Sequence, residues 1–234
     1  MLLVAASFII NPHLMAKMPF APLTDFSPLT LVASNPHVLV VSNAVPATNL
    51  KELMAWARAR TGSATFASFG NGSSGHLGFE MLKKAGNFEM VHVPYKGSAP
   101  AMTDLFGGHV DAMLTDLPQV IEAIKAGKVK AIAIAATTRA PTLPQVATVN
   151  ESGLADFESK SWYGLVVKSG APPATIASLT EAFTSSLREP EVRLKFEQSG
   201  LDVIGSTTGE FALYLKRESV KYGQAVKVSG VRID

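Results

Sequence analysis

The stretch "SATFASFGNGSSGHLGFEMLKKAG", residues 63–86, decides how this chain is read. "ATFAS" has the alternation of a strand, "FGNGSS" is a glycine turn, and "HLGFEMLKKAG" has the apolar spacing of a helix near 77–84. Gly70, Gly72 and Gly75 spell G-x-G-x-x-G, the dinucleotide fingerprint, in the strand–turn–helix context it requires. That reading also needs an acidic residue at the end of the next strand, to bind ribose hydroxyls. The next strand ends "HVPYKG" with no carboxylate, and Glu89 stands at its beginning. Lys96 keeps an alternative alive, an NADP-linked oxidoreductase whose cation meets a 2′-phosphate. A tight turn with Ser or Asn capping is a second alternative. The favoured reading is a loop that holds a small anion.

Working outward, the same unit recurs twice. "EMVHVPY" leads through "KGSAP" into a helix ending at Gly107-Gly108. "VDAMLT" leads through "DLP" into a helix near 119–126 that stops at Gly127. In open α/β sheets ligands bind outside the carboxyl ends of the strands. Three successive strand ends carry small, hydroxyl or amide residues: Ser68 to Ser74, Lys96-Gly97-Ser98, and Thr115-Asp116. Each opens a helix, so unpaired backbone N–H groups and positive dipole ends gather at one rim, suited to an anion. Asp116 before Leu-Pro also reads as a plain N-cap.

The remainder fits an α/β chain with mostly parallel sheets. "MLLVAAS" reads as a buried strand, "INPHLMAKMPFAPLTDFSP" as irregular, and "LTLVAS" and "HVLVVS" as two strands separated by Asn35-Pro36. Residues 49–60 read as an amphipathic helix capped by Asn49 with Glu52 three on, burying Leu50, Leu53, Met54 and Ala57. "VKAIAIAA" and "SWYGLVV" are further strands, and helices follow at 173–188, 190–198 and roughly 208–226. Trp162 within "SWYGLVV" either walls a pocket or fills core.

Composition narrows the chemistry. The 234 residues are 47% hydrophobic and 17% charged, enough for a sizeable core. A net charge of +2, from 21 basic and 19 acidic residues without a basic cluster, argues against nucleic acid. The absence of cysteine excludes disulfides, thiolate catalysis and Cys-ligated zinc. The histidines at 13, 37, 76, 92 and 109 lack H-x-H or H-E-x-x-H spacing and read as surface or capping residues, so no metal or other cofactor is expected. Ser73 and Ser74 lie outside any G-x-S-x-G elbow, so nucleophilic catalysis fits poorly. "MLLVAASFII" is too short to span a bilayer and lacks a signal peptide's basic start and cleavage site. A strand opening at the first methionine suggests a segment missing upstream.

Several separate stretches together resemble one family. "DFSPLTLVASNPHVLVV", "FGNGSSGHL", "VHVPYKGSAPAMTDLFGGHVDAML", "IKAGKVKAIAI", "SWYGLVVKSGAPP" and "KVSGVRID" are similar to the Bug (TctC-type) family. Its members are extracytoplasmic solute-binding receptors of tripartite tricarboxylate transporters. The resemblance implies a two-lobed, hinge-closing fold of the type II periplasmic-binding-protein kind, with residues 36–160 as lobe two. Lobe one would combine 1–35 and 161–234, truncated because the family's N-terminal strands, roughly a quarter of a usual chain by length, are absent. It implies a non-enzymatic receptor, a small di- or tricarboxylate ligand, the transporter's membrane components as partners and a periplasmic location. The cradle carried over by position is Ser7 in lobe one, with Ser68, Gly70, Asn71, Gly72, Ser73, Ser74, Lys96, Gly97, Ser98, Thr115 and Asp116 in lobe two. The family places Asp-Asn where this chain has Thr115-Asp116. The expected truncation leaves an apolar lobe-one edge open to self-association, and a structural fragment without ligand is the remaining alternative.

Overall fold

The computed structural model describes residues 1–233. The chain divides into two compact units, one formed by Met1–Asn35 with Ser161–Asp234 and the other by Pro36–Lys160.

In the first unit, strand β1 (Leu2–Ala5) pairs antiparallel with β7 (Lys160–Lys168), Leu3 opposite Leu165. Leu2 and Leu3 are exposed where a buried strand was expected, and helix α1 (Ser7–Leu14) follows at once, where the end of that strand and the start of an irregular segment were expected. Pro12 lies inside it and removes a backbone donor, which costs about 3 kcal/mol in a helix interior. Burial of Phe8, Ile9, Ile10 and Leu14 offsets that cost. Phe8 also joins Phe20 and Phe26 in an aromatic cluster, with ring centroids 5.3–6.0 Å apart. The supposedly irregular stretch is therefore held by apolar packing in place of propensity.

Three helices complete this unit: α6 (Pro173–Arg188), α7 (Pro190–Gln198) and α8 (Thr208–Ser229). Helix α8 opens with a reciprocal cap, Thr207 and Glu210 each bonding the other's backbone N–H. Leu29, Leu165 and Val167 pack against Ile176, Leu179 and Phe183 of α6. Trp162 is fully buried, edge-on to Phe211 and Tyr214 of α8. Gly164 is required there, because a Cβ would collide with the Phe211 ring.

Strand β2 (Phe26–Ser42) is one continuous strand where two were expected. Pro36 cannot donate to a ladder, which made it read as a break. The strand instead changes partners there. Before it, Ala33 lies opposite Val203 of β8 (Asp202–Val203); after it, His37 lies opposite Asp116.

The second unit contains β3 (Thr65–Ser68), β4 (Val91–Pro94), β5 (Ala112–Asp116) and β6 (Val129–Ile134). Strand β3 is parallel to β4 and β5, while β2 runs antiparallel to β5 and β6. Four of these strands therefore point one way, with β2 reversed among them. The helices are α2 (Leu50–Ala59), α3 (Ser74–Gly86), α4 (Ser98–Gly107) and α5 (Leu117–Lys125).

Strand alternation sorts the sheet's side chains onto two faces. Leu39, Val41, Phe66 and Leu114 pack with Leu50, Leu53, Phe79 and Leu82 of α2 and α3. Val38, Val40, Ala67 and Met113 pack with Ala101, Leu105, Leu117 and Val120 of α4 and α5. A sheet covered on both faces with parallel neighbours delivers the carboxyl ends of β3, β4 and β5 to one edge.

Candidate functional site

The rim at that edge starts with the loop after β3. Ser68 is fully buried, and its hydroxyl lies 2.7 Å from His92 Nε2 and 3.1 Å from the Gly70 carbonyl oxygen. The Gly70 N–H donates to Ser68 Oγ at 3.2 Å. Gly70 and Gly72 have φ of +143° and +71°, conformations that glycine adopts without strain. The Gly72 N–H donates to His76 Nδ1 at 3.1 Å, and Ser73 caps α3 by accepting the His76 N–H at 3.3 Å. Asn71 is exposed and Ser74 buried. Gly75 packs so tightly that a Cβ would lie 2.5 Å from the Leu114 carbonyl oxygen.

Two histidines hold this loop from below. His76 and His92 stack with centroids 3.6 Å apart, and Phe66 stacks on His92 at 4.9 Å. Burial, then the charges near it from His92 and Lys83, pushes His76 down to about 3. Burial and Lys83 push His92 down to about 4. Both rings are thus neutral, and His76 accepts the Gly72 N–H. The expectation of surface or capping histidines fails here, and it fails for His37, which is also fully buried. No sequence spacing signals the pair, because parallel pairing of β3 with β4 brings His92 beside Phe66.

The loop after β4 is built differently. Lys96 is exposed, and Gly97 and Ser98 are half-buried. Gly97 occupies the N-cap of α4 at φ +112°, with no side chain capping the helix. Tyr95 pins the segment, donating to Asp104 Oδ2 at 2.6 Å. Burial and that carboxylate push its phenol up to about 12.

The third strand end is the most buried. Thr115 is fully buried, and its hydroxyl has no hydrogen-bond partner in the chain. Alternation puts it on the α4–α5 face and Asp116 on the α3 face. Asp116 stands at the N-cap of α5, yet its side chain does not cap the helix. Asp116 Oδ1 lies 3.3 Å from His37 Nε2, and Oδ2 accepts from Gln119 Nε2 at 3.1 Å. His37 Nδ1 lies 2.8 Å from Ser159 Oγ, and His37 Nε2 lies 3.5 Å from Ser74 Oγ.

Asp116 and Ser159 meet opposite nitrogens of the His37 ring, but Ser159 is fully buried, and Ser74 shares its nitrogen with the carboxylate, so neither hydroxyl is both activated and open to a solute. Among the described residues, no group of three or more His, Cys, Asp or Glu is placed to hold a metal ion. No described helix is long and apolar enough to cross a membrane.

The structure thus brings Ser68, Gly70, Asn71, Gly72, Ser73, Ser74, Lys96, Gly97, Ser98, Thr115 and Asp116 to connected strand ends of one unit. Ser7 lies in the other unit, exposed in the first turn of α1, and Trp162 lies in that unit's core.

Known proteins place this arrangement in context. Residues 1–231 match the family model described as the tripartite tricarboxylate transporter family receptor. BugT of Bordetella pertussis is 29% identical over 229 residues, covering 98% of this chain and 70% of that protein. A UPF0065 protein of Pseudomonas sp. strain P51, from the tcbD–tcbE intergenic region, is 30% identical over 95% of this chain and 66% of its own length. The chain therefore spans about two thirds of these relatives. Among solved structures, an R. palustris protein with adipate superposes with TM-score 0.88 at 27% identity, covering 98% of this chain and 77% of that one. The periplasmic binding protein BugD gives 0.85 at 31% identity, over 98% and 78%. MatC of Rhodopseudomonas palustris, with bound malate, gives 0.81 at 27%, over 96% and 78%. With a family match along almost its whole length and these neighbours, the chain belongs to the TctC family of tripartite tricarboxylate transporter receptors, the Bug-type solute-binding proteins.

Proposed function

We propose that this chain captures a small di- or tricarboxylate at the rim of its second unit, in the periplasm, and presents it unchanged to the membrane components of a tripartite tricarboxylate transporter. The observation that carries the reading is the buried, unpartnered Thr115 hydroxyl beside helix starts that no side chain caps. A buried hydroxyl without a partner is costly, and so are unpaired N–H groups at a helix start. A carboxylate satisfies both. Ser98 N–H and Ala99 N–H at α4, and Leu117 N–H and Gln119 N–H at α5, supply donors and positive dipole ends. Lys96 adds a solvated cation, and Ser68 to Ser74 form the wall. The family neighbours solved with adipate and malate support the ligand class. The serines that meet a histidine most closely, Ser68 and Ser159, are fully buried, which supports binding without turnover.

Calorimetry against malate, adipate, citrate and NADPH tests the proposal. Saturable binding of at least one acid, recovered intact, is the expected result. Saturable NADPH binding with no response to the acids would overturn it.

A further inference from the structure

Resting on the carboxylate-receptor reading, we propose that His37 carries a proton into the site, so that solute capture is coupled to protonation of the His37–Asp116 pair. The geometry assigns this role. His37 is fully buried, directly opposite Asp116 in the β2–β5 ladder, with Nε2 at 3.3 Å from the carboxylate and Nδ1 at 2.8 Å from Ser159 Oγ. A hydroxyl both donates and accepts, so Ser159 satisfies Nδ1 in either protonation state of the ring. With one proton on the ring, Nε2–H donates to Asp116, Ser159 donates to Nδ1, and the pair carries one negative charge. With two protons, Nδ1–H donates to Ser159, and the pair is neutral. Both states keep the contacts to Asp116 and Ser159 in place while the charge of the pair changes.

Asp116 is the carboxylate placed against the His37 ring. From β5 comes Asp116, from α3 Ser74 at 3.5 Å, and from the glycine loop the Phe69 ring at 6.3 Å. From β6 Ile134 lies opposite the neighbouring Val38, Ala135 just after β6 donates its N–H to the His37 carbonyl oxygen, and the segment before β7 supplies Ser159. Glu158 and Lys160, which flank Ser159, pair with each other at 2.7 Å. Asp116 keeps 11% of its side chain exposed, so its charge reaches the rim where the solute's carboxylate would sit. A bound dianion opposes the negative form of the pair and favours the neutral one. By linkage, binding then takes up a proton and affinity rises as pH falls.

Malate and adipate are the probes, titrated by calorimetry from pH 6.5 to 8.5, in two buffers of different ionisation enthalpy. Above about pH 6.5 both acids are fully ionised, so any dependence belongs to the protein. The wild-type chain should weaken with rising pH, by up to about tenfold per unit, and the buffer pair should report a proton taken up on binding. His37→Gln should bind with a flat profile and no proton uptake. Histidine-selective NMR of the wild type should show the His37 ring gaining a proton on malate addition, a readout that needs no variant. Binding with a flat wild-type profile, or an unchanged slope in H37Q, overturns this inference while leaving the receptor reading intact. No binding of malate, adipate or citrate at any pH overturns both.

Discussion

The two glycine-bearing loops of the rim look alike in sequence and are built in opposite ways. In the loop after β3 the protein consumes its own donors: Gly70 N–H goes to Ser68, Gly72 N–H to His76, and His76 N–H to Ser73. In the loop after β4, Gly97 heads a helix that no side chain caps. The first loop is scaffold, locked by stacked histidines. The second leaves its helix start without a side-chain cap. The conspicuous fingerprint thus marks rigidity, and the less conspicuous "KGS" opens the helix start to which the proposed carboxylate is assigned.

Alanine at the two kinds of glycine should separate these roles most sharply. Gly75→Ala places a Cβ 2.5 Å from a backbone oxygen of β5 and should cost about 3 kcal/mol of stability. Gly97→Ala meets no atom within 4 Å and strains only the backbone at φ +112°, costing about 1–2 kcal/mol. Urea unfolding should therefore punish Gly75→Ala, while calorimetry should show the folded Gly97→Ala chain losing malate affinity through a re-aimed Ser98 N–H. Equal stability of the two variants would break the comparison.

Acid should act on the locked loop next. His76 and His92 are held neutral at about 3 and about 4, whereas the unfolded chain protonates both near pH 6.5. Between those limits the unfolded state binds more protons, so stability is fully present above about pH 6.5 and lost as pH falls toward 4. Allowing for solvent screening of both rings, the loss by pH 5 should be about 2 kcal/mol, shared between them. Urea midpoints at pH 7 and pH 5 read it directly. His92→Gln should roughly halve the drop, and identical midpoints in the wild type would contradict a histidine-held loop.

Thr115→Val carries the smallest effect and the sharpest sign. Removing an unpartnered buried hydroxyl should leave stability unchanged or raise it by up to about 1 kcal/mol. Carboxylate affinity should nevertheless fall about tenfold, the worth of one hydrogen bond. A variant that loses stability in step with affinity would make Thr115 structural.

What the sequence made legible follows from the range of the interactions involved. Helix α2 was readable because Asn49, Glu52 and the buried Leu50, Leu53, Met54 and Ala57 all lie within one short segment. The strand–loop–helix units were readable for the same reason, down to Gly108 closing α4 in a left-handed conformation. Helix α1 was not, because Pro12 masks a segment whose stability comes from Phe20 and Phe26 elsewhere. The break expected at Pro36 ignored that a strand can change partners at a residue lacking a donor. At the rim, residue types at the three strand ends were legible. The histidines were not: His37 meets Ser159 across 122 positions, and His76 meets His92 only through sheet pairing.

The aromatic packing around Trp162 has a consequence for how this protein can be watched. The chain has two tryptophans, one in each unit. Trp162 is fully buried among rings and its indole N–H has no hydrogen-bond partner, so its fluorescence should be blue-shifted and deaf to added quenchers. Trp56 is half-buried on α2 with the Arg60 guanidinium 5.1 Å from its ring, so it should emit further to the red and be quenched readily. One emission spectrum therefore carries two resolvable reporters, and a denaturant series followed at both wavelengths times the loss of each unit separately, without any label.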